Sequence, residues 1–321
     1  MIKYAIIGAG WRSEFYLRIA CLCPDKFTVS GIYIRNEEKR EIFANKYNVR
    51  IFDTLDGLLS TDFDFVVSCV NKDGINDMVR QLTKKGVPVL TETPVTDATL
   101  GGKVQVAEQF HFMPRNLAYK KIIDSGIIGK VHQVQLSCCH FYHAASLIRF
   151  FLETGFEEPE VTTHTLNDTV TRYNSRNGYL TTPILTDSEQ TIKIFKFDGK
   201  SAVYDFTYEQ YFSDIRSSRI VIRGENGEIV DNTCTYLSGG VPQSFEIKRN
   251  QYGSCENLDG MCLFNIVGND ILYTNPFPTA RLSDEEIAIA TCLTSMKKYL
   301  ETNQEFYSVQ DAAFDAQMMQ L

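Results

Sequence analysis

Residues 2–13 read IKYAIIGAGWRS: an apolar run, two glycines one residue apart, then the start of a helical pattern. An apolar run of this kind suits a strand buried on both faces. From here strands and helices alternate. The helical pattern continues through Cys23, Phe27–Ile34 is a second strand, and Glu37–Tyr47 is a helix with Ile42, Phe43 and Tyr47 on one face. Arg50–Phe52 is a short strand, residues 54–59 a short helix, and Phe63–Cys69 another nearly all-apolar strand. Asp73–Lys85 is a helix stopped by Gly86, and Val87–Leu90 is the next strand. Strands separated by helices of this length predict right-handed crossovers and a parallel, doubly wound α/β sheet.

In such sheets ligands bind beyond the carboxyl ends of the strands. The glycine turn follows the first strand and opens the first helix, which is the setting of a dinucleotide-binding fingerprint, although Ser13 stands in its third place. Gly8 permits the tight turn. Gly10 lets a pyrophosphate approach the backbone at the helix N-terminus, where amides and dipole favour an anion. A small Ser13 is tolerable where helix packs on strand. A carboxylate ending the second strand would select NAD, but Ile34-Arg35-Asn36 offers no acid before Glu37. Arg35 would suit a 2′-phosphate, and Arg12 would reach phosphate too, so the reading leans to NADP over NAD. The blander readings are a glycine turn without ligand and an Arg35 that only meets solvent at a helix start.

The bulk numbers agree with a soluble globular chain that has a large core. It has 321 residues, enough for two domains, with 44% hydrophobic and 22% charged residues. A net charge of −8 without a basic block argues against nucleic acid or an anionic membrane as partner. The opening apolar run, Tyr4 to Ile7, is too short for a signal peptide core or a membrane span. Nine cysteines without a C-x-x-C pair point to reduced, mostly buried thiols and a cytoplasmic setting. Cys138 and Cys139, read as part of a strand, would point to opposite faces. The five histidines lack the spacing of a zinc site, and no metal is expected.

The GAGWRS turn, the strand end Ser68-Cys69-Val70-Asn71, the Glu92-Thr93-Pro94 turn and Gly126-Ile127-Ile128-Gly129-Lys130-Val131 together resemble the glucose-fructose oxidoreductase / inositol dehydrogenase / MocA family. The likeness covers nearly the whole chain. It implies a Rossmann domain, residues 1–107, and a C-terminal α+β domain, residues 108–321, built on an open, mostly antiparallel sheet that often forms the oligomer interface. It also implies an NAD(P)-dependent enzyme acting on a hydroxyl carbon of a sugar, inositol or related polyol. Cofactor contacts are then expected from Gly8, Gly10, Trp11, Arg12, Arg35, Asn71 and Glu92.

Two departures bear on the chemistry. Family members commonly carry Glu-Lys-Pro where this chain has Glu92-Thr93-Pro94. They also carry an aspartate four residues before a histidine; His143 matches the histidine, and Cys139 takes the aspartate's place. Removing a hydroxyl proton during hydride transfer needs a base, typically for a 10²–10⁴-fold gain. Thr93 can orient a hydroxyl but is no base near neutral pH. His143 is therefore the candidate acid/base, with Gln109, His111 and His140 as candidate substrate contacts; each is also plausible as a packed, structural residue.

Between the turn and the strand Val104–Ala107 lie only residues 95–103. A parallel return usually needs a dozen or more residues, generally with a helix. Either the crossover is truncated or residues are absent from the sequence. Further on, Leu117–Ser125 reads as a helix, and Val131–Cys138, Thr191–Phe197, Ala202–Thr207, Ser218–Arg223 and Met261–Val267 as strands. Gly224–Gly227 is a hairpin-type turn. Ser283–Leu300 is a helix capped by Ser283. Apolar positions among the strands of residues 191–267 predict a homodimer or homotetramer through an open sheet face. Besides the dehydrogenase, a non-catalytic dinucleotide-binding sensor and an NAD-dependent glycosidase fit the same residues.

Overall fold

The computed structural model describes residues 1–251 and 262–320. In chain order its elements are β1 (Ile2–Ile7), α1 (Trp11–Leu22), β2 (Phe27–Tyr33), α2 (Glu37–Lys46), β3 (Ile51–Phe52), α3 (Leu55–Leu59), β4 (Phe65–Ser68), α4 (Ile75–Lys84), β5 (Val89–Thr91) and β6 (Val104–Val106). They continue with α5 (Pro114–Asp124), β7 (Val131–Ser137), α6 (Phe141–Leu152), β8 (Glu160–Ser175), β9 (Gly178–Phe197), β10 (Lys200–Thr207), β11 (Arg219–Gly224) and β12 (Gly227–Val230). Last come β13 (Thr233–Ser238), β14 (Val241–Glu246), β15 (Lys248–Gln251), β16 (Cys262–Val267), β17 (Asp270–Thr274), α7 (Asp284–Thr302) and α8 (Val309–Met318). Met261, expected to open a strand, and Cys255 lie outside the described residues. Among the described residues no helix is long and apolar enough to cross a membrane.

The chain forms two compact units. The first comprises Met1–Leu117, Arg249–Phe264 and Tyr273–Gln317. This differs from a single cut after residue 107, because the C-terminal segments return to the parallel sheet. That sheet has the order β3-β2-β1-β4-β5-β6, with every pairing parallel. The order reverses between β1 and β4, the place where doubly wound folds open a crevice. Burial follows the apolar runs: Tyr4 to Ile7 and Phe65 to Val67 are all inside. One helix face differs from expectation, since Phe43 is buried while Ile42 is 59% exposed. Adjacent helical positions diverge by about 100°, so one apolar stripe does not hold both.

The short crossover is built without a helix. Residues 92–103 carry the chain from β5 to β6, and the two strands still pair in parallel, Thr91 against Val106. The apolar side that a crossover helix would cover is filled from two sources. Val95 and Leu100 of the connection join the same buried cluster as Tyr307, Val309 and Ala312. The chain at residues 306–307 is pinned there: Val106 N–H donates to the Tyr307 carbonyl at 2.9 Å, and Gln105 Oε1 accepts from Phe306 and Tyr307 N–H at 2.9 and 3.0 Å. A distant segment thus replaces a local helix.

The second unit comprises Ala118–Lys248, Asn265–Leu272 and Met318–Leu321. Its eight-stranded sheet has the order β14-β13-β12-β11-β7-β10-β9-β8, antiparallel except where β10 meets β7. Registers place Phe195, Ala202, Val134, Ile222, Ile229 and Cys234 in one row, all buried. Helix α6 packs on β7 and β10. On the other face, Ile194, Val203, Gln135, Val221 and Val230 form a second row, only partly covered. The hairpin turn at residues 224–227 joins β11 to β12, as the glycines implied. A separate three-stranded sheet has the order β15-β16-β17.

Among the described cysteines, all free, six are buried, Cys138 is half-buried and Cys21 is exposed. Cys138 and Cys139 do not sit on opposite faces of a strand. β7 stops at Ser137, the pair occupies a bend, and their sulfurs are 3.7 Å apart. Strand alternation fails once the extended backbone ends.

Candidate functional site

The glycine turn is shaped as its residues dictate. Gly8 has φ 105°, and a Cβ there would meet the Cys69 carbonyl oxygen at 2.5 Å, so only glycine lets β4 end this close. Gly10 is the opposite case. Its backbone is ordinary extended chain at φ −97°, and a Cβ would meet nothing within 4 Å. Open space therefore lies beside the start of α1, whose N-terminus has no side-chain cap. Helix amides facing such a space suit an anion. Ser13 is fully buried under the helix and donates to the Gly10 carbonyl at 2.8 Å, which explains why a small polar residue fits the third position. At the end of β2, Arg35 is exposed, and Arg40 folds back to donate to the Ile34 and Arg35 carbonyls at 3.1 and 3.0 Å. Asn71 is exposed after β4, and Trp11 is 45% exposed with its ring 4.6 Å from that of Phe15, edge to face.

Arg12 does not behave as expected of a phosphate ligand. Its Nη1 donates to Glu285 Oε1 at 2.8 Å, and its Nε lies 3.3 Å from Glu92 Oε2. A guanidinium fixed between two carboxylates is already matched in charge. Glu92 is buried, and Tyr16 donates its hydroxyl to Oε1 at 2.5 Å. Burial nonetheless raises the Glu92 carboxyl above the ordinary range, against the pull of Arg12 and Tyr16. Gln109 is also buried and directs its amide to Glu285 Oε1 at 3.5 Å. Its neighbour His111 meets the Tyr307 ring edge-on at 5.3 Å. In the first unit, then, Arg12, Glu92 and Gln109 come together with Glu285 of α7, which sequence reasoning missed.

Glu108 was missed as well. It lies two residues beyond the end of β6 and is only 1% exposed. Its Oε1 accepts from Phe110 N–H at 3.0 Å, starting the short helical turn Gln109–Phe112. Burial pushes this carboxyl up to about 7, opposed by His111, the Phe110 amide and Arg12. A signal was present: an acid immediately after the apolar run Val104–Ala107, at a strand's carboxyl end, where polar residues face ligands. Thr93 is half-buried in the turn after β5 and precedes a cis peptide to Pro94.

The second unit carries His140 and His143. His140 caps the start of α6, and its main-chain N–H and Nδ1 meet the Tyr211 hydroxyl at 3.1 and 2.9 Å. Phe141 has φ 39°, a backbone conformation costly for a bulky residue. Its N–H donates to the Tyr204 hydroxyl at 3.2 Å, which helps hold it there. One turn on, His143 is 4% exposed, with its ring 5.1 Å from His140 and 4.5 Å from Tyr142. Burial raises the Tyr204 and Tyr211 phenols well above their ordinary range, so both stay protonated. Cys139 is fully buried and supplies no carboxylate. Lys193 is also nearly buried, and burial lowers its ammonium.

The profile of the Gfo/Idh/MocA oxidoreductase family, NAD-binding Rossmann fold, matches residues 2–110. No curated relative matches the chain in sequence. In structure it is similar to an oxidoreductase from Agrobacterium radiobacter in complex with NAD+, L-tartaric acid and magnesium, at 14% identity and TM-score 0.67, covering 99% of this chain and 94% of that one. It is similar to a putative myo-inositol dehydrogenase from Sinorhizobium meliloti, at 17% identity and TM-score 0.64, covering 100% and 95%. A putative NADPH-dependent oxidoreductase from Desulfitobacterium hafniense aligns at 15% identity and TM-score 0.62, covering 99% and 93%. At these identities the likeness speaks for the fold. The glycine turn, the strand order and the profile agree: residues 2–110 are an NAD-binding domain of the glucose-fructose oxidoreductase / inositol dehydrogenase / MocA family of oxidoreductases, and the chain as a whole has that family's fold.

Proposed function

We propose that the protein is an NAD(P)-dependent oxidoreductase acting on a hydroxyl carbon of a sugar, inositol or related polyol in the cytoplasm. The observation that carries this reading is the open space at Gly10 beside an uncapped helix N-terminus, within a domain matched to an NAD-binding family. Gly8 and Gly10 admit the pyrophosphate, and Arg35 pairs with a 2′-phosphate, which favours NADP. Bound there, the dinucleotide supplies the hydride acceptor or donor. His143 takes or returns the hydroxyl proton of the substrate, Thr93 orients that hydroxyl, and His140, Gln109 and His111 contact its other polar groups.

The test is a panel of sugars, inositols and polyols offered with NAD+ and NADP+, read as the net appearance of reduced nicotinamide by its near-ultraviolet absorbance. With a turned-over substrate in hand, His143→Ala should lose at least about 10²-fold in turnover, the low end for a general base. Thr93→Val should lose less, since it removes only a hydrogen bond. Normal turnover by His143→Ala would reject the assignment. A protein that binds the dinucleotide yet reduces it with no member of the panel would instead be a sensor, a reading that Thr93 and the buried Cys139 favour.

A further inference from the structure

The second unit buries a lysine without giving it a counter-charge. In β9, Lys193, Phe195 and Phe197 are buried while Ile194 and Lys196 are exposed, so Lys193 belongs to the covered face of the sheet. The registers set it in one row of that face with Tyr204, Leu136 and Ile220, each at most 1% exposed. Lys193 itself is 6% exposed. On its other flank it pairs with Thr163 of β8, which is exposed, so the row passes from solvent to core at this lysine.

Helix α6 lies along β10 on this face. Its first N–H, on Phe141, donates to the Tyr204 hydroxyl at 3.2 Å, and at its far end the Leu152 carbonyl accepts from Lys200. Lys193 is the cross-strand neighbour of Tyr204, and such side chains start out about 5 Å apart. An ammonium on lysine reaches about as far from the backbone as a hydroxyl on tyrosine, so Lys193 and the start of α6 share one corner. Both are positive there, the helix through its dipole. Asp205, next along β10, alternates to the opposite face, where Gln190 and Arg219 donate to it. Among the described residues no hydrogen bond or ion pair reaches the Lys193 ammonium, and burial alone shifts it, downward. Folded chains seldom bury an ammonium in this way, because nothing offsets its lost hydration.

Resting on the oxidoreductase reading above, we propose that Lys193 binds the carboxylate of a sugar-acid substrate, a polyol chain or ring bearing one carboxylate, at the start of α6. One ammonium balances one carboxylate, whereas a phosphate dianion would leave a charge in excess in the same buried corner. His140 and His143 belong to the same helix start, so a molecule held by its acid end presents its hydroxyl carbons to them. The buried charge without a partner is then a feature of the empty site, and the substrate completes the pair.

Lys193→Met keeps the apolar stem and removes the charge, and it tests the proposal in two ways. Without any ligand the variant should melt at a higher temperature than the wild type, since an unpaired buried charge is gone. A lower melting temperature, or failure to fold, would mean that the lysine holds the structure together and would overturn the proposal. Calorimetric titrations of the intact protein saturated with NADPH then compare D-gluconate and D-glucuronate with neutral D-glucitol and D-glucose, and with a hexose monophosphate. At least one acid should bind the wild type about tenfold or more tighter than its neutral counterpart, and Lys193→Met should lose that margin. A margin that survives in the variant would refute the role of Lys193. Equal binding of acids and neutral compounds, tighter binding of the phosphate, or no binding of either acid would do the same. The reading on which this rests fails separately: turnover of a neutral polyol without binding of the acids leaves the oxidoreductase standing and removes the acid site, whereas absence of any binding heat for NADPH and NADH removes both.

Discussion

Valine at position 10 should abolish dinucleotide binding and leave the fold standing, whereas alanine at position 8 should do the reverse damage. At position 10 the backbone is extended, φ −97° and ψ 176°, which a β-branched residue adopts readily. A Cβ there meets nothing within 4 Å, so the cost is confined to a poorer N-cap, about 1 kcal/mol. The new side chain fills the space beside the α1 amides. Excluding the pyrophosphate should weaken NADPH at least about 100-fold, roughly 2.8 kcal/mol. At position 8 a methyl group would stand 2.5 Å from the Cys69 carbonyl oxygen, and φ 105° is strained for any side chain. The backbone strain alone is about 1–3 kcal/mol, and the carbonyl clash adds to it. Melting should fall by several degrees, at roughly 2–4 °C per kcal/mol for a unit of this size. Thermal denaturation and calorimetric titration with NADPH measure both quantities. Unchanged affinity in Gly10→Val would refute the placing of the pyrophosphate, and a wild-type melting curve for Gly8→Ala would refute the close approach of β4.

Three other perturbations test separate parts of the reasoning. NADPH should bind more tightly than NADH, with Arg35→Ala reducing the preference; a wild type favouring NADH tenfold, about 1.4 kcal/mol, would reject the role of Arg35. The half-covered row Ile194, Val203, Gln135, Val221 and Val230 should be an interface in a homodimer or homotetramer, so Val221→Glu should dissociate it. Sedimentation of the wild type as a monomer at micromolar concentration would count against that. The Glu108 carboxyl rises from 4.5 to about 7 on folding, so the folded state binds the extra proton between those values. Its stabilising share is therefore complete below about pH 4.5 and is lost as pH rises through 7, by about 3 kcal/mol. Glu108→Gln should flatten this decline in urea unfolding measured across pH 5–8, and an unaltered slope would remove Glu108 as its source.

The parallel sheet was legible because its strands are short apolar runs between amphipathic helices, a pattern that depends only on local periodicity. The start of α7 was equally local: Ser283 accepts from Glu286 N–H while the Glu286 side chain accepts from Ser283 N–H. β8 was not legible. It runs Glu160–Ser175 with mostly exposed positions, so no apolar alternation marks it; its threonines suit a strand, but its pairing with β9 is what makes it one. The crossover from β5 to β6 could be seen to be short, but not what replaces its helix, because Tyr307, Val309 and Ala312 arrive from the far end of the chain. The site divided in the same way. The positive φ of Gly8 and the open surroundings of Gly10 belong to their own backbones, so the turn could be read in place. Arg12 read as a phosphate contact because nothing near it in sequence reveals Glu285 across the fold.

That pairing sets the electrostatics at the end of β5. Glu92 and Glu285 contact Arg12, and Glu108 interacts with the same guanidinium and with His111, so three buried or part-buried carboxyls share these two basic groups. Keeping an uncompensated carboxylate out of water costs several kcal/mol. Burial raises the Glu92 carboxyl above its ordinary range and pushes Glu108 up to about 7, so a proton taken up near neutral pH lowers that cost. Glu108 is only 1% exposed, and the Phe110 amide that donates to it accommodates either protonation state. The folded protein therefore responds to pH near neutrality through Glu108, a group that no local sequence pattern marks as titrating there.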